Sequence, residues 1–129
     1  MILIKHEVKN SNTHGVGLFT KEDIKKGTLI AKRSPKLDVD ITPKDFASLN
    51  DIEKADVLYW GFYDKATNLY HVTFDNIRFL NHSDNANVTE GMGSYEIFSK
   101  RDIKKGEELT QNYLEFEKEE DLFRRGIRK

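Results

Sequence analysis

The chain has 129 residues, with 21 Lys plus Arg against 22 Asp plus Glu and a formal net charge of −1. That length suits one core, and so even a charge balance gives no electrostatic case for a nucleic acid or a membrane as the main partner. Cysteine is absent, which excludes disulfides and thiolate zinc sites and suits an intracellular protein, cytoplasmic or nuclear according to its host.

Met1 to Val8 mixes Ile and Leu with Lys, His and Glu. It reads as a first strand and resembles neither a signal peptide nor a membrane span. His14-Gly15-Val16-Gly17 follows. Its glycines let the backbone approach a ligand closely, but the pattern reads equally as a bulge or turn and lacks the third glycine of a dinucleotide-binding fingerprint. The stretch from Leu18 to Gly27, Leu-Phe-Thr-Lys-Glu-Asp-Ile-Lys-Lys-Gly, is nearly repeated from Ile97 to Gly106 as Ile-Phe-Ser-Lys-Arg-Asp-Ile-Lys-Lys-Gly. Each copy runs from an apolar pair into a glycine turn and then into a second apolar stretch, predicting two similar strand-turn-strand units.

Further strands are predicted over Leu29 to Lys32, Trp60 to Tyr63, Leu69 to Phe74, Val88 to Glu90 and Tyr95 to Phe98. Their brevity points to small curved sheets. Thr42-Pro43-Lys44-Asp45 is a helix start, with Thr as cap, Pro in the first helical position and an acid in the first turn. It opens a helical insert across about 42–58, renewed at Asp51. From Glu115 to Lys129 acids precede bases, the order that suits a terminal helix and its dipole.

Two further segments carry polar chemistry. Arg78-Phe79-Leu80-Asn81-His82-Ser83 places an amide, an imidazole and a hydroxyl behind an apolar pair, and reads either as a polar turn or as a site reading an amine through Asn81. The four histidines show no ligand spacing, so no metal is expected. Glu108-Leu109-Thr110-Gln111-Asn112-Tyr113 closes the second repeat on a tyrosine, in isolation a core residue. The run Tyr59-Trp60-Gly61-Phe62-Tyr63 reads as core or as an aromatic wall able to hold an alkyl chain and a cation.

In order and approximate spacing, Gly15-Val16-Gly17, Arg78 to Ser83 and Glu108 to Tyr113 resemble the signature segments of SET-domain protein lysine methyltransferases, and the likeness covers most of residues 13 to 116. It implies a mainly β fold with short helices, made of small curved sheets and a threaded, pseudoknot-like C-terminal segment. Residues 1–116 would form the catalytic domain, and a helical tail over 117–129 would close the site. The resemblance also implies methyl transfer from S-adenosylmethionine, leaving S-adenosylhomocysteine, to a lysine of a protein substrate such as a histone.

By similarity, His14, Gly15, Val16 and Gly17 line the methionine end of the cofactor. Arg78 neutralises its carboxylate, Asn81 bonds its amino group, the backbone of His82 meets the adenine edge, and Phe116 or Phe123 covers the ring. Tyr113 is the catalytic residue, and Tyr59, Phe62 and Tyr63 wall the lysine channel. Gln111 stands where members often carry a second tyrosine, leaving the number of methyl groups open. Zinc segments that flank many relatives are missing, so the tail closes the site alone or within a homodimer. The alternatives are a SET-like module that only binds protein, and a transferase acting on a different amine. Acidic groups suited to a basic substrate include Asp84, Glu90 and the Glu117 to Asp121 run.

Overall fold

The computed structural model describes residues 1–91 and 95–120. Among the described residues ten short strands form two sheets, with two α-helices and two 3-10 turns between them. Strands β1 (His6–Asn10) and β2 (Val16–Thr20) form an antiparallel hairpin with Val8 opposite Leu18. Strand β3 (Leu29–Ala31) lies at the far edge of the same sheet, and β4 (Val39–Ile41) opens the second.

Helix α1 (Pro43–Ser48) starts where its sequence requires, the Thr42 hydroxyl accepting from the Asp45 N–H. Helix α2 (Asp51–Trp60) carries a full capping box, Asn50 and Glu53 each accepting from the other's backbone N–H. It runs two residues beyond the expected Leu58. Trp60 is therefore its last residue, and the strand expected from Trp60 begins only at Gly61.

Strands β5 (Gly61–Asp64) and β6 (Leu69–Val72) pair with each other, and β6 also with β4, giving a three-stranded antiparallel sheet. A 3-10 turn over Asn76–Phe79 leads into β7 (Asn81–His82), then β8 (Val88–Glu90), β9 (Ile97–Ser99) and β10 (Glu108–Gln111). Most expected strands are present but shorter. Of the first, only His6 to Val8 falls within β1, while Ile2 makes a lone bridge to Ala31.

The last strand sits in the middle. β10 pairs antiparallel with β2 on one side and parallel with β7 and β8 on the other, in the order β1-β2-β10-β8-β9-β3 with β7 also on β10. The buried side chain of Asn87 ties it there: its Oδ1 accepts from the Thr110 N–H at 2.9 Å and its Nδ2 donates to the Glu108 carbonyl at 2.8 Å. Leu18, Ile30, Val88, Ile103 and Leu109, each at most 1% exposed, form the centre of the core beneath.

The two copies of the sequence repeat grip each other. The Ile24 and Ile103 backbones exchange hydrogen bonds at 2.7 and 2.8 Å. Gly27 N–H donates to the Ser99 carbonyl, and Gly106 N–H to the Thr20 carbonyl, both at 2.9 Å. Asp102 accepts from the Lys26 N–H at 2.8 Å and Asp23 from the Lys105 N–H at 2.9 Å. Equivalent positions of the two copies make equivalent bonds, so the turns are related by an approximate two-fold axis. Gly27 (φ +82°) and Gly106 (φ +92°) supply the left-handed backbone both turns need.

The expected tail over 117–129 lies mostly outside the described residues, Phe123 included. Where a helix was expected from Glu115, the chain makes a 3-10 turn over Tyr113–Glu115 and then buries Phe116 and Glu117, so Glu117 belongs to no solvated acidic face. No helix among the described residues is long and apolar enough to cross a membrane.

Because the two aspartates make the same bond in opposite copies, Asp23→Ala and Asp102→Ala should each cost about 1 kcal/mol. Urea denaturation checks this; a large inequality between the two would show that the clasp is not shared.

Candidate active site

Asn81 is held at the junction of three strands. From β7 its Nδ2 reaches the carbonyls of His14 (3.0 Å) and Val16 (3.1 Å) and Oε1 of Glu108 (2.9 Å). Glu108 also takes both Ser11 Oγ contacts, at 2.7 and 2.8 Å, and the Thr13 hydroxyl at 3.2 Å. Gly17 lies directly under this carboxylate: a Cβ there would come within 2.1 Å of Glu108 Oε1. The glycine segment is thus shaped by a carboxylate contact as well as by turn geometry. With the amide nitrogen of Asn81 committed to protein acceptors, its oxygen is the atom left to receive a ligand ammonium.

Thr110 pairs with Asn81 and Gln111 with His82, bringing Tyr113 back against the segment before β7. The Tyr113 hydroxyl donates to the Leu80 carbonyl, and its backbone N–H donates to His82 Nδ1 at 3.1 Å. An imidazole nitrogen that accepts carries no proton, so the His82 proton resides on Nε2, 3.3 Å from Asp84 Oδ1. His82 therefore acts as a strut under the tyrosine backbone.

Beside Tyr113 opens a cavity with aromatic walls. Tyr59, Trp60, Phe62, Tyr95 and Phe116 are among its lining residues, together with Arg78, Leu80, Glu90 and Gln111. The Arg78 guanidinium lies 4.5 Å from the centre of the Trp60 ring, so the cation sits on an apolar wall. Phe116 packs on Phe62 at 4.4 Å and on Tyr113 at 5.4 Å between ring centres. Tyr59 is 73% exposed and belongs to the rim.

The second sheet stiffens one wall. Buried His71 on β6 lies 2.7 Å from Asp40 and 3.4 Å from Asp64, and Asp40 also pairs with Arg33. The Tyr95 ring stands edge-on to His71 at 4.5 Å, on a backbone with φ of +55° that a tyrosine rarely adopts. Burial pushes its phenol above the ordinary value, so it stays protonated at neutral pH. Glu90 lines the cavity and also an adjoining recess with Asp64, Thr67 and Glu115. Burial, then the charges of Asp64 and Glu115, push its carboxyl up to about 7.

The expected site residues fall into two groups. His14 to Gly17 gather around Asn81 and Glu108, whereas Tyr59, Phe62, Arg78, Tyr113 and Phe116 share the cavity. Tyr63 is in neither. Side chains alternate along β5, so with Phe62 toward the cavity Tyr63 faces away, packing on Tyr70 and bonding Asn68. Phe116 is 5% exposed between Phe62 and Tyr113, which makes it a wall and not an outer cover. Sequence reasoning missed Glu108, Tyr95 and His71, and weighed Trp60 only as core or wall; a Glu in a Gly-Glu-Glu turn and a Tyr between polar residues carry no local signal of burial. Among the described residues no cluster suits a metal ion.

The SET-domain profile matches residues 15–114. The variant-silencing SET domain-containing protein of Plasmodium falciparum is 29% identical over a match spanning 83% of this chain, which covers 5% of that protein's length. Among solved structures, a Plasmodium falciparum protein named as a histone methyltransferase aligns with a TM-score of 0.59 at 19% identity, covering 87% of this chain and 95% of that one. The ctPRC2 complex in an autoinhibited conformation bound to S-adenosylmethionine aligns with a TM-score of 0.66 at 20% identity, over 95% of this chain and 17% of that one. Apo ctPRC2 with two substitutions in Ezh2 gives 0.70 at 21% identity, over 95% and 16%. At such identities the structures show the shared fold, and the profile, matching well over half of the sequence, shows that the chain belongs to the SET domain family.

Proposed function

We propose that this protein transfers a methyl group from S-adenosylmethionine to the side-chain amine of a lysine in a protein substrate. The observation that carries the reading is the Tyr113 hydroxyl, held on the Leu80 carbonyl at the edge of an aromatic cavity. The residues fit the cofactor: Arg78 offers a cation for its carboxylate, the Asn81 oxygen an acceptor for its ammonium, and the Gly17 segment a backbone with no side chain in the way. When bound, S-adenosylmethionine supplies a methyl group on a cationic sulfur.

The protein's own task is alignment and protonation state. Its aromatic walls exclude water and hold the acceptor's alkyl chain, and the desolvated surroundings disfavour the ammonium form. Tyr113, fixed through its backbone by His82 and through its hydroxyl by Leu80, orients the nitrogen. Phe62, Tyr95 and Phe116 make the channel, while Gln111, bonded to Glu115 at 3.1 Å, presents an amide where a second tyrosine is often found. The nearby carboxylates of Asp64, Glu90 and Glu115 favour a second reading, a more polar amine as acceptor.

Calorimetric titration with S-adenosylmethionine, followed by mass spectrometry of histones, a lysate and small amines incubated with the protein, decides among these. Mass gain on protein lysine supports the first reading, gain on free amines the second; no binding at millimolar cofactor removes both. Tyr113→Phe should lower turnover by roughly 10²-fold while leaving cofactor affinity within about threefold, since only an orienting hydroxyl is lost. Asn81→Ala should weaken cofactor binding about tenfold or more; because it also strips three internal bonds, circular dichroism must show the variant folded at the assay temperature.

A further inference from the structure

Glu90 lines the cavity together with Asp38 and Asp40, and the adjoining recess together with Asp64 and Glu115; their hydrogen bonds separate them. Asp38 accepts from the Ser34 N–H at 2.7 Å and the Phe74 N–H at 3.0 Å, and Asp40 is paired with Arg33 and His71. Asp64 accepts from the Ala66 N–H at 2.9 Å and the Thr67 hydroxyl at 3.0 Å, and lies beside His71. Glu115 accepts from the Thr89 hydroxyl and the Glu90 N–H at 2.9 Å and from Gln111 at 3.1 Å. Both are spent on holding the wall. Glu90, at the end of β8, lines the cavity together with Tyr113, and none of the described residues donates a hydrogen bond to its carboxylate. Its backbone is fixed by Glu115, in the turn that carries Tyr113, and by pairing with Ile97 on β9.

Resting on the methyl-transfer reading, we propose that Glu90 is the group that receives the acceptor amine as its ammonium and takes the proton that blocks methyl transfer. The need is quantitative. A lysine with its ordinary value of about 10.4 is neutral in only about one molecule in 10³ at pH 7.4. In the proposed step an N–H bond of the ammonium breaks and an O–H bond forms on Glu90, leaving the nitrogen its lone pair. The nitrogen–carbon bond then forms as the carbon–sulfur bond breaks, its electrons staying on sulfur. Glu90 returns its proton to water through the polar recess it shares with Asp64 and Thr67.

The charges around Glu90 suit such a role. Asp64 at the end of β5 and Glu115 after β10 oppose its ionisation, and a bound ammonium relieves that repulsion. Tyr95 lines the same cavity as a neutral phenol, and beyond it lie His71 on β6, Asp40 on β4 and Arg33, already engaged with one another. A carboxyl pushed up to about 7 is poised to gain and lose a proton near neutral pH.

The sign for stability follows. Raised from 4.5 to about 7 in the folded state, Glu90 binds its proton more tightly there than in the unfolded chain. It therefore stabilises the fold below that window and progressively less as pH rises through it. The thermal midpoint of the wild type should fall more steeply than that of Glu90→Gln between about pH 4.5 and pH 7.

The direct test uses n-butylamine, which carries a lysine's alkyl chain and ammonium, with carbon-13 detection of Glu90 by NMR. Glu90 is expected to titrate near 7 in the free protein, to shift downward with butylamine, and to bind it at least tenfold more weakly as Glu90→Gln, with partial recovery as Glu90→Asp. Unchanged butylamine affinity in Glu90→Gln, or a Glu90 titration blind to butylamine, overturns the proposal. The second arm follows methylation of a lysine-peptide array against pH: the wild-type rate should rise to a plateau above pH 7, and Glu90→Gln should lose that inflection while keeping its affinity for S-adenosylmethionine. An inflection that survives in the variant also overturns it. Glu90-dependent butylamine binding without any methyl transfer would instead sink the methyltransferase reading and leave an amine site.

Discussion

Everything in this molecule depends on β10 lying between strands that precede it. Its antiparallel edge completes the hairpin that carries the glycine segment, and its parallel edge completes the segment that carries Asn81 and His82. Because each edge is already specified by a different part of the chain, the strand fixes their relative position to within a hydrogen bond. The buried Asn87 side chain, with one donor and one acceptor used on β10 itself, permits no one-residue slip.

That constraint makes a site out of residues far apart in sequence. Tyr113 comes two residues after β10, so its place is set by the Thr110–Asn81 register, and His82 and Leu80 then hold its two ends. Glu108, at the start of the same strand, organises Asn81, Ser11 and Thr13 around itself, over Gly17. One four-residue strand thus anchors the candidate cofactor side at its beginning and the candidate acceptor side at its end.

Legibility in the sequence followed the range of the physics. Local signals read well: the Thr42 cap, the helix renewed at Asp51 and the glycine turns are determined by neighbours within a few residues. The three motif segments resembled a family in their order, and so gave the mainly β architecture that no single segment held. What failed was orientation. Tyr59, Trp60, Phe62 and Tyr63 look equivalent as a string, yet helix α2 runs through the first two and the alternation of β5 parts the others. Glu108 and Tyr95 were indistinguishable from surface residues, and Glu90 stood out only as one of several acids suited to a basic substrate, because their surroundings come from distant parts of the chain. The repeat was visible, but not that its two copies grip each other.

The central place of β10 also bears on how the chain is made. During synthesis, β2, β7 and β8 all precede residues 108 to 111, and until β10 docks each presents backbone groups with no partner on the side that β10 will occupy. Open strand edges of that kind invite pairing with other chains. A released chain in which β10 has not yet docked would therefore be a template for aggregation more than a partly working protein, and any holding chaperone would have most to do before that strand is in place.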